Sequence, residues 1–81
     1  MELYQLIYED LTHLGGPMGS EYTTESNFGF FTSVRKAQSK AENYHSQHSA
    51  EKIAWRKDGD FWRSQDLGYA MFYVIEVRVE G

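Results

Sequence analysis

The sequence contains no cysteine and a single proline. Without cysteine there is no disulfide framework, no thiolate zinc site and no cysteine nucleophile, and a cysteine-free small domain fits the cytoplasm better than a secreted setting. No apolar run approaches the ~20 residues that cross a bilayer, and no charged-then-apolar leader is expected from the opening residues. Basic residues are also scarce. Eight Lys and Arg stand against twelve Asp and Glu, a formal net charge of −4, which argues against general affinity for nucleic acid or an anionic membrane. With 81 residues the chain can build one modest core, so a single domain over 1–81 is expected.

What is abundant is aromatic: six Tyr, five Phe and two Trp. Residues 3–8, Leu-Tyr-Gln-Leu-Ile-Tyr, are rich in β-formers and predict a strand. Residues 69–80 predict the clearest strand, with Met71, Tyr73, Ile75, Val77 and Val79 at period two and Glu76, Arg78 and Glu80 between them. The first set is expected on the core face, and Ala70, Phe72 and Val74 suggest that the other face is covered too. Residues 9–27 hold Gly15, Gly16, Pro17 and Gly19 and no clear period, which predicts a long, flexible, acidic loop. Thr32 and Ser33 offer a helix cap, and Val34, Ala37, Ala41 and Tyr44 form one narrow apolar stripe of a helix over 33–47. Residues 52–64 predict a β-hairpin turning at Asp58-Gly59. In that register Lys57 faces Asp60, Arg56 faces Phe61, Trp55 stacks on Trp62, and Ala54 faces Arg63. The expected fold is α+β: about four strands in a mostly antiparallel sheet, one helix packed on one face, in the order β-loop-α-β-β-β.

Charge is blocked along the chain: acidic over 1–30, basic over 31–63 and acidic again after that. His45, His48 and Glu51 lie three apart near the helix end, but no mechanism-bearing metal spacing such as His-Glu-x-x-His is present, so no metal or cofactor is expected. Glu9 and Asp10, with His13 nearby, are the candidate catalytic carboxylates. Adjacent strand residues point to opposite faces and do not converge as an acid/base pair, so an enzyme is not expected. The glycine-rich 15–19 stretch lacks the Lys-Ser/Thr ending of a phosphate loop.

Binding signals are stronger. Arg35 and Lys36 follow Ser33 where the helix dipole favours acidic residues, a cationic start that can seat a phosphate, a partner carboxylate or this chain's own acidic front. In the hairpin Trp55, Phe61 and Trp62 alternate with Arg56, Lys57 and Arg63. Trp and Arg are enriched at interface hot spots, and aromatics among basic residues also suit single-stranded nucleic acid. The expected partner-binding residues are Arg56, Phe61, Trp62 and Arg63, with Arg35 and Lys36 at the helix start and Glu9 and Asp10 at the loop. The larger Trp pair is expected to take the helix side of the hairpin, leaving Arg56, Phe61 and Arg63 on the freer face, with Trp62 at its rim.

The tyrosine-rich first strand, the Phe30-Phe31-Thr32-Ser33 lead into an Ala-bearing helix, and the aromatic-to-aliphatic last strand together resemble a class of short bacteriophage and mobile-element proteins. That resemblance implies a small fold carrying host-directed interactions, such as inhibition of a host defence, replication or transcription complex. It supplies no catalytic residues. The expected function is therefore a non-enzymatic protein-binding module acting in the cytoplasm on a host protein complex. The alternative is a nucleic-acid-binding module using the hairpin. Unblunted sheet edges add the expectation of a homodimer.

Overall fold

The computed structural model describes residues 2–11 and 24–78. In chain order these form β1 (Glu2–Asp10), β2 (Thr24–Phe31), α1 (Val34–Ser46), β3 (Arg56–Asp58), β4 (Phe61–Arg63) and β5 (Ala70–Arg78). The strands make one antiparallel sheet in the order β2-β1-β5-β4-β3, and α1 packs on one face of it. Among the described residues the α+β class and the single helix agree with the sequence, and the sheet has five strands rather than four.

The helix forms where its stripe predicts. Ser33 is the N-cap, its Oγ accepting from the Lys36 backbone N–H at 3.2 Å. Ala37 and Ala41 are fully buried against the sheet, with Val34 and Tyr44 packed beside them. Small residues here let the helix approach the large side chains of β1 and β5. Replacing Ser33 by alanine removes the cap and is expected to cost about 1 kcal/mol, read as a lower Tm with unchanged helical signal.

The core face of β5 is the opposite of the one its alternation predicts. Ala70, Phe72 and Val74 are buried under the helix, while Met71, Tyr73, Ile75 and Val77 lie on the other face and are half-buried. The reason is the pairing with β1. Ile75 sits directly across from Gln5, and Met71 across from Glu9, so the odd-numbered face carries an amide and a carboxylate that a core leaves unsatisfied. Val74 and Phe72 instead face Leu6 and Tyr8.

β2 begins at Thr24, inside the stretch that sequence predicts as loop, and Glu9 and Asp10 close β1 rather than open a loop. Residues 12–23, with His13 and the glycine-rich run, lie outside the described residues, as does Val79. Between Leu6/Gly29 and Ile7/Asn27 the register slips by one residue, leaving Phe28 as the extra residue of a β-bulge. Gly29 takes φ +123 there. Phe28 thereby joins the helix side, stacking on Tyr8 at 5.0 Å and meeting Tyr44 and Phe72 edge-on.

The hairpin also turns one residue later than predicted. Asp58 pairs with Phe61, Lys57 with Trp62 and Arg56 with Arg63, so the turn residues are Gly59 and Asp60. Gly59 has φ +64 and no non-glycine described residue has positive φ. A type I′ turn is therefore excluded, and glycine carries the left-handed position as in type II′. The two Trp do not stack across the ladder. Trp55 precedes β3 and its indole N–H donates to Glu42 Oε2 at 3.0 Å. Gln65 holds the same segment, accepting from the Ala54 N–H at 2.9 Å and donating to the Lys52 carbonyl at 3.1 Å.

Among the described residues no helix is long and apolar enough to cross a membrane.

Candidate functional site

The sheet has two unlike faces. One is sealed by α1. The other, here called the open face, is covered by no described element. Registers across the sheet lay it out in rows. The first row is Leu3 and Val77. The second runs Phe30, Gln5, Ile75 and then Phe61 with Asp58. The third runs Asn27, Ile7, Tyr73, Arg63 and Arg56. The fourth is Glu25, Glu9 and Met71. Most of its apolar members shade one another to half-burial, while Phe30 on edge strand β2 remains 52% exposed.

Two corners of this face carry like charges side by side. Glu9 lies directly across from Glu25, and Arg56 directly across from Arg63. Like charges at directly opposed positions of a ladder destabilise it. Relief within the described residues is small: Arg63 Nε reaches Asp58 Oδ2 at 3.6 Å, and Glu9 accepts from the Tyr73 hydroxyl at 3.1 Å. Tyr73 stands between the corners. Its phenol pKa is raised, first by burial, then by the hydrogen bond and charge of Glu9, with Glu25 adding and Arg63 opposing.

The expected site residues divide accordingly. Arg56, Phe61 and Arg63 share the open face, as the sequence suggests, and Glu9 lies on the same face two strands away. Trp62 faces the helix side, half-buried with the Lys57 ammonium 5.8 Å over its ring. Asp10 falls on the helix side of β1, opposite Ala70. Arg35 and Lys36 are taken up by the chain itself. Arg35 grips Glu42 with both terminal nitrogens, at 3.1 and 3.3 Å, and Lys36 Nζ donates to Thr32 Oγ1 at 3.0 Å. The cationic helix start is thus paired internally, one of the readings the sequence left open. Glu25 has no site signal in the sequence and Tyr73 is expected there in the core; only the β1–β2 and β1–β5 registers bring them to the site.

A second feature lies behind the helix. His45 is 2% exposed; its Nδ1 is 2.8 Å from the Tyr69 hydroxyl and its Nε2 is buried with no hydrogen-bond partner. It borders a cavity of about 510 Å³ together with Glu42, Ser46, Ser49 and Glu51. His48 packs its ring on Tyr44 and Tyr69. Among the described residues no group of three or more His, Asp or Glu is arranged to hold a metal ion.

Burial also acts on the tyrosines of the helix side. Tyr8 is pushed up from 10 to about 12, first by burial and then by Tyr44 and Asp10, and Tyr69 is raised by burial and Tyr44. A phenol with a higher pKa folded than unfolded holds its proton more tightly in the fold. The stability it lends is complete below about pH 10 and is lost as the pH rises through about 12. Unfolding on alkaline titration is expected across that window, tracking tyrosinate absorbance, and Tyr8→Phe is expected to move the transition to higher pH. Comparison of the chain with protein-family models, with curated proteins and with solved structures finds no match.

Proposed function

We propose that the protein is a non-enzymatic protein-binding module and that its binding surface is the open face of the sheet. The observation that carries this reading is a continuous set of apolar side chains, Leu3, Ile7, Phe61, Met71, Tyr73, Ile75 and Val77, on a face that no described element covers. Contiguous apolar patches rimmed by polar groups mark interaction sites on small soluble domains. A sheet is also rigid, so its side chains lose little freedom on binding. The Arg56/Arg63 and Glu9/Glu25 corners give such a surface orientation as well as affinity. The mixed signs favour a protein over single-stranded nucleic acid, which a uniformly basic groove suits better. The resemblance to short phage and mobile-element proteins supports a bacterial host protein, met in the cytoplasm, as a target of this surface.

The test is capture from a bacterial lysate by the wild type and by Arg56→Glu/Arg63→Glu, read by mass spectrometry. The reversal is expected to lose the captured protein while circular dichroism and Tm stay nearly unchanged, since an exposed ion pair such as Arg63–Asp58 contributes at most about 1 kcal/mol. Retention of the partner by the reversed variant places the interface elsewhere. Salt-sensitive binding of short single-stranded DNA, lost in the same variant, is the result that the nucleic-acid alternative requires.

A further inference from the structure

Resting on the open-face reading above, we infer that one occupant of this face is a second copy of the chain, packed sheet on sheet. The argument starts from the two like-charge corners. Glu9/Glu25 lie on β1 and β2, and Arg63/Arg56 lie on β4 and β3. The sheet order β2-β1-β5-β4-β3 puts these pairs at equal distances on either side of β5. A two-fold axis lying in the interface and running along β5 therefore sets β1 of one copy over β4 of the other, and β2 over β3. Each acidic pair then comes over a basic pair, twice per dimer, as an isologous contact requires. Glu9 aligns with Met71 and Arg63 with Tyr73, an offset of one pleat, about 7 Å along the strand. The length of an arginine side chain and the ~30° rotation between aligned sheets accommodate it.

The rest of the face fits the same operation. Met71, Tyr73 and Ile75 run along the axis and meet their own copies. Gln5 of β1 comes over Phe61 of β4, and Ile7 over the aliphatic stem of Arg63. Five strands about 4.8 Å apart, three of them eight or nine residues long and two of them three, at about 3.3 Å per residue, make a face of about 500 Å². That is below the ~800 Å² per partner of a standard stable interface and is the scale of a weak, concentration-dependent dimer. Each charge pair is unfavourable within one chain and neutralised between two, which is the pattern expected where local rules are broken for an interface.

Sedimentation equilibrium of three proteins tests this: the wild type, the all-acidic Arg56→Glu/Arg63→Glu and the all-basic Glu9→Lys/Glu25→Lys. The wild type is expected to dimerise, and each variant alone to associate about tenfold more weakly or worse, because both charged contacts become repulsive. An equimolar mixture of the two variants is expected to recover association as a heterodimer. Should Glu9→Lys unfold the chain through loss of the Tyr73 hydrogen bond, Glu25→Lys alone serves as the basic partner. A monomeric wild type at high concentration overturns the second copy as occupant while leaving capture of another protein at this face intact. A dimer that survives both reversals undiminished overturns this geometry and assigns association to a sheet edge.

Discussion

Phe72→Ala is expected to cost about 3–5 kcal/mol, the range for truncating a fully buried aromatic. Phe72 has no exposed surface and touches Tyr8, Phe28 and Tyr44 edge-on. A chain of 81 residues holds roughly 4–12 kcal/mol in total, so the loss is a quarter of its stability or more. The melting temperature is expected to fall by about 15 °C or further. Ile75→Ala, three residues on and on the open face, is expected to cost only about 1 kcal/mol, since its side chain is half-buried and its cavity opens to solvent. Thermal denaturation of the two variants side by side decides which face of β5 is core. The reverse order, with Ile75→Ala the more damaging, returns the helix to the Met71-Tyr73-Ile75 face.

The second large effect falls on the bulge. Phe28→Ala is expected to cost about 3 kcal/mol, because it removes the ring stacked on Tyr8 at 5.0 Å and an edge contact to Tyr44 at 5.2 Å. The loss reaches beyond packing. Phe28 ties the N-terminal half of edge strand β2 to the core, since Ser26 and Asn27 before it are exposed and Phe31, the other β2 ring packed on the core, lies at the far end of the strand. Hydrogen exchange is expected to quicken first in β2 of this variant, while β5 stays protected until global unfolding. Gly29→Val acts on the same place through the backbone, forcing a branched residue into φ +123. Equal slowing or quickening of exchange in all strands of Phe28→Ala contradicts this anchoring role.

These residues also explain what the sequence made legible. The helix was readable because cap and stripe agree: Ser33 precedes a set of small and apolar residues at helical spacing, and Ala37 and Ala41 are the residues that end up buried. β2 was hidden because the bulge at Phe28-Gly29 breaks the period of two at its one apolar stretch, leaving Thr24–Asn27 to read as loop. β5 could be read as a strand but not in phase. Both its faces are apolar over Ala70–Ile75, and the choice is made by Gln5 and Glu9, which only the β1–β5 register brings alongside. The hairpin is the instructive case. Its turn lies one residue later than Asp58-Gly59 suggests, which shifts every pairing by two. A shift of two preserves the faces, so Arg56, Phe61 and Arg63 still share one, while the Trp55–Trp62 pair is lost. Glu25 had no local signal at all; its place beside Glu9 is a property of the long-range pairing.

The open face as the surface that takes a second copy is tested most directly by hydroxyl-radical footprinting of the wild type across a concentration series. Labelling of Met71, Tyr73 and Phe61 is expected to fall together as concentration rises, while Trp55 and Tyr44 on the helix side stay constant. Unchanged labelling of Met71, Tyr73 and Phe61, with protection appearing at Trp55 and Tyr44 instead, contradicts it.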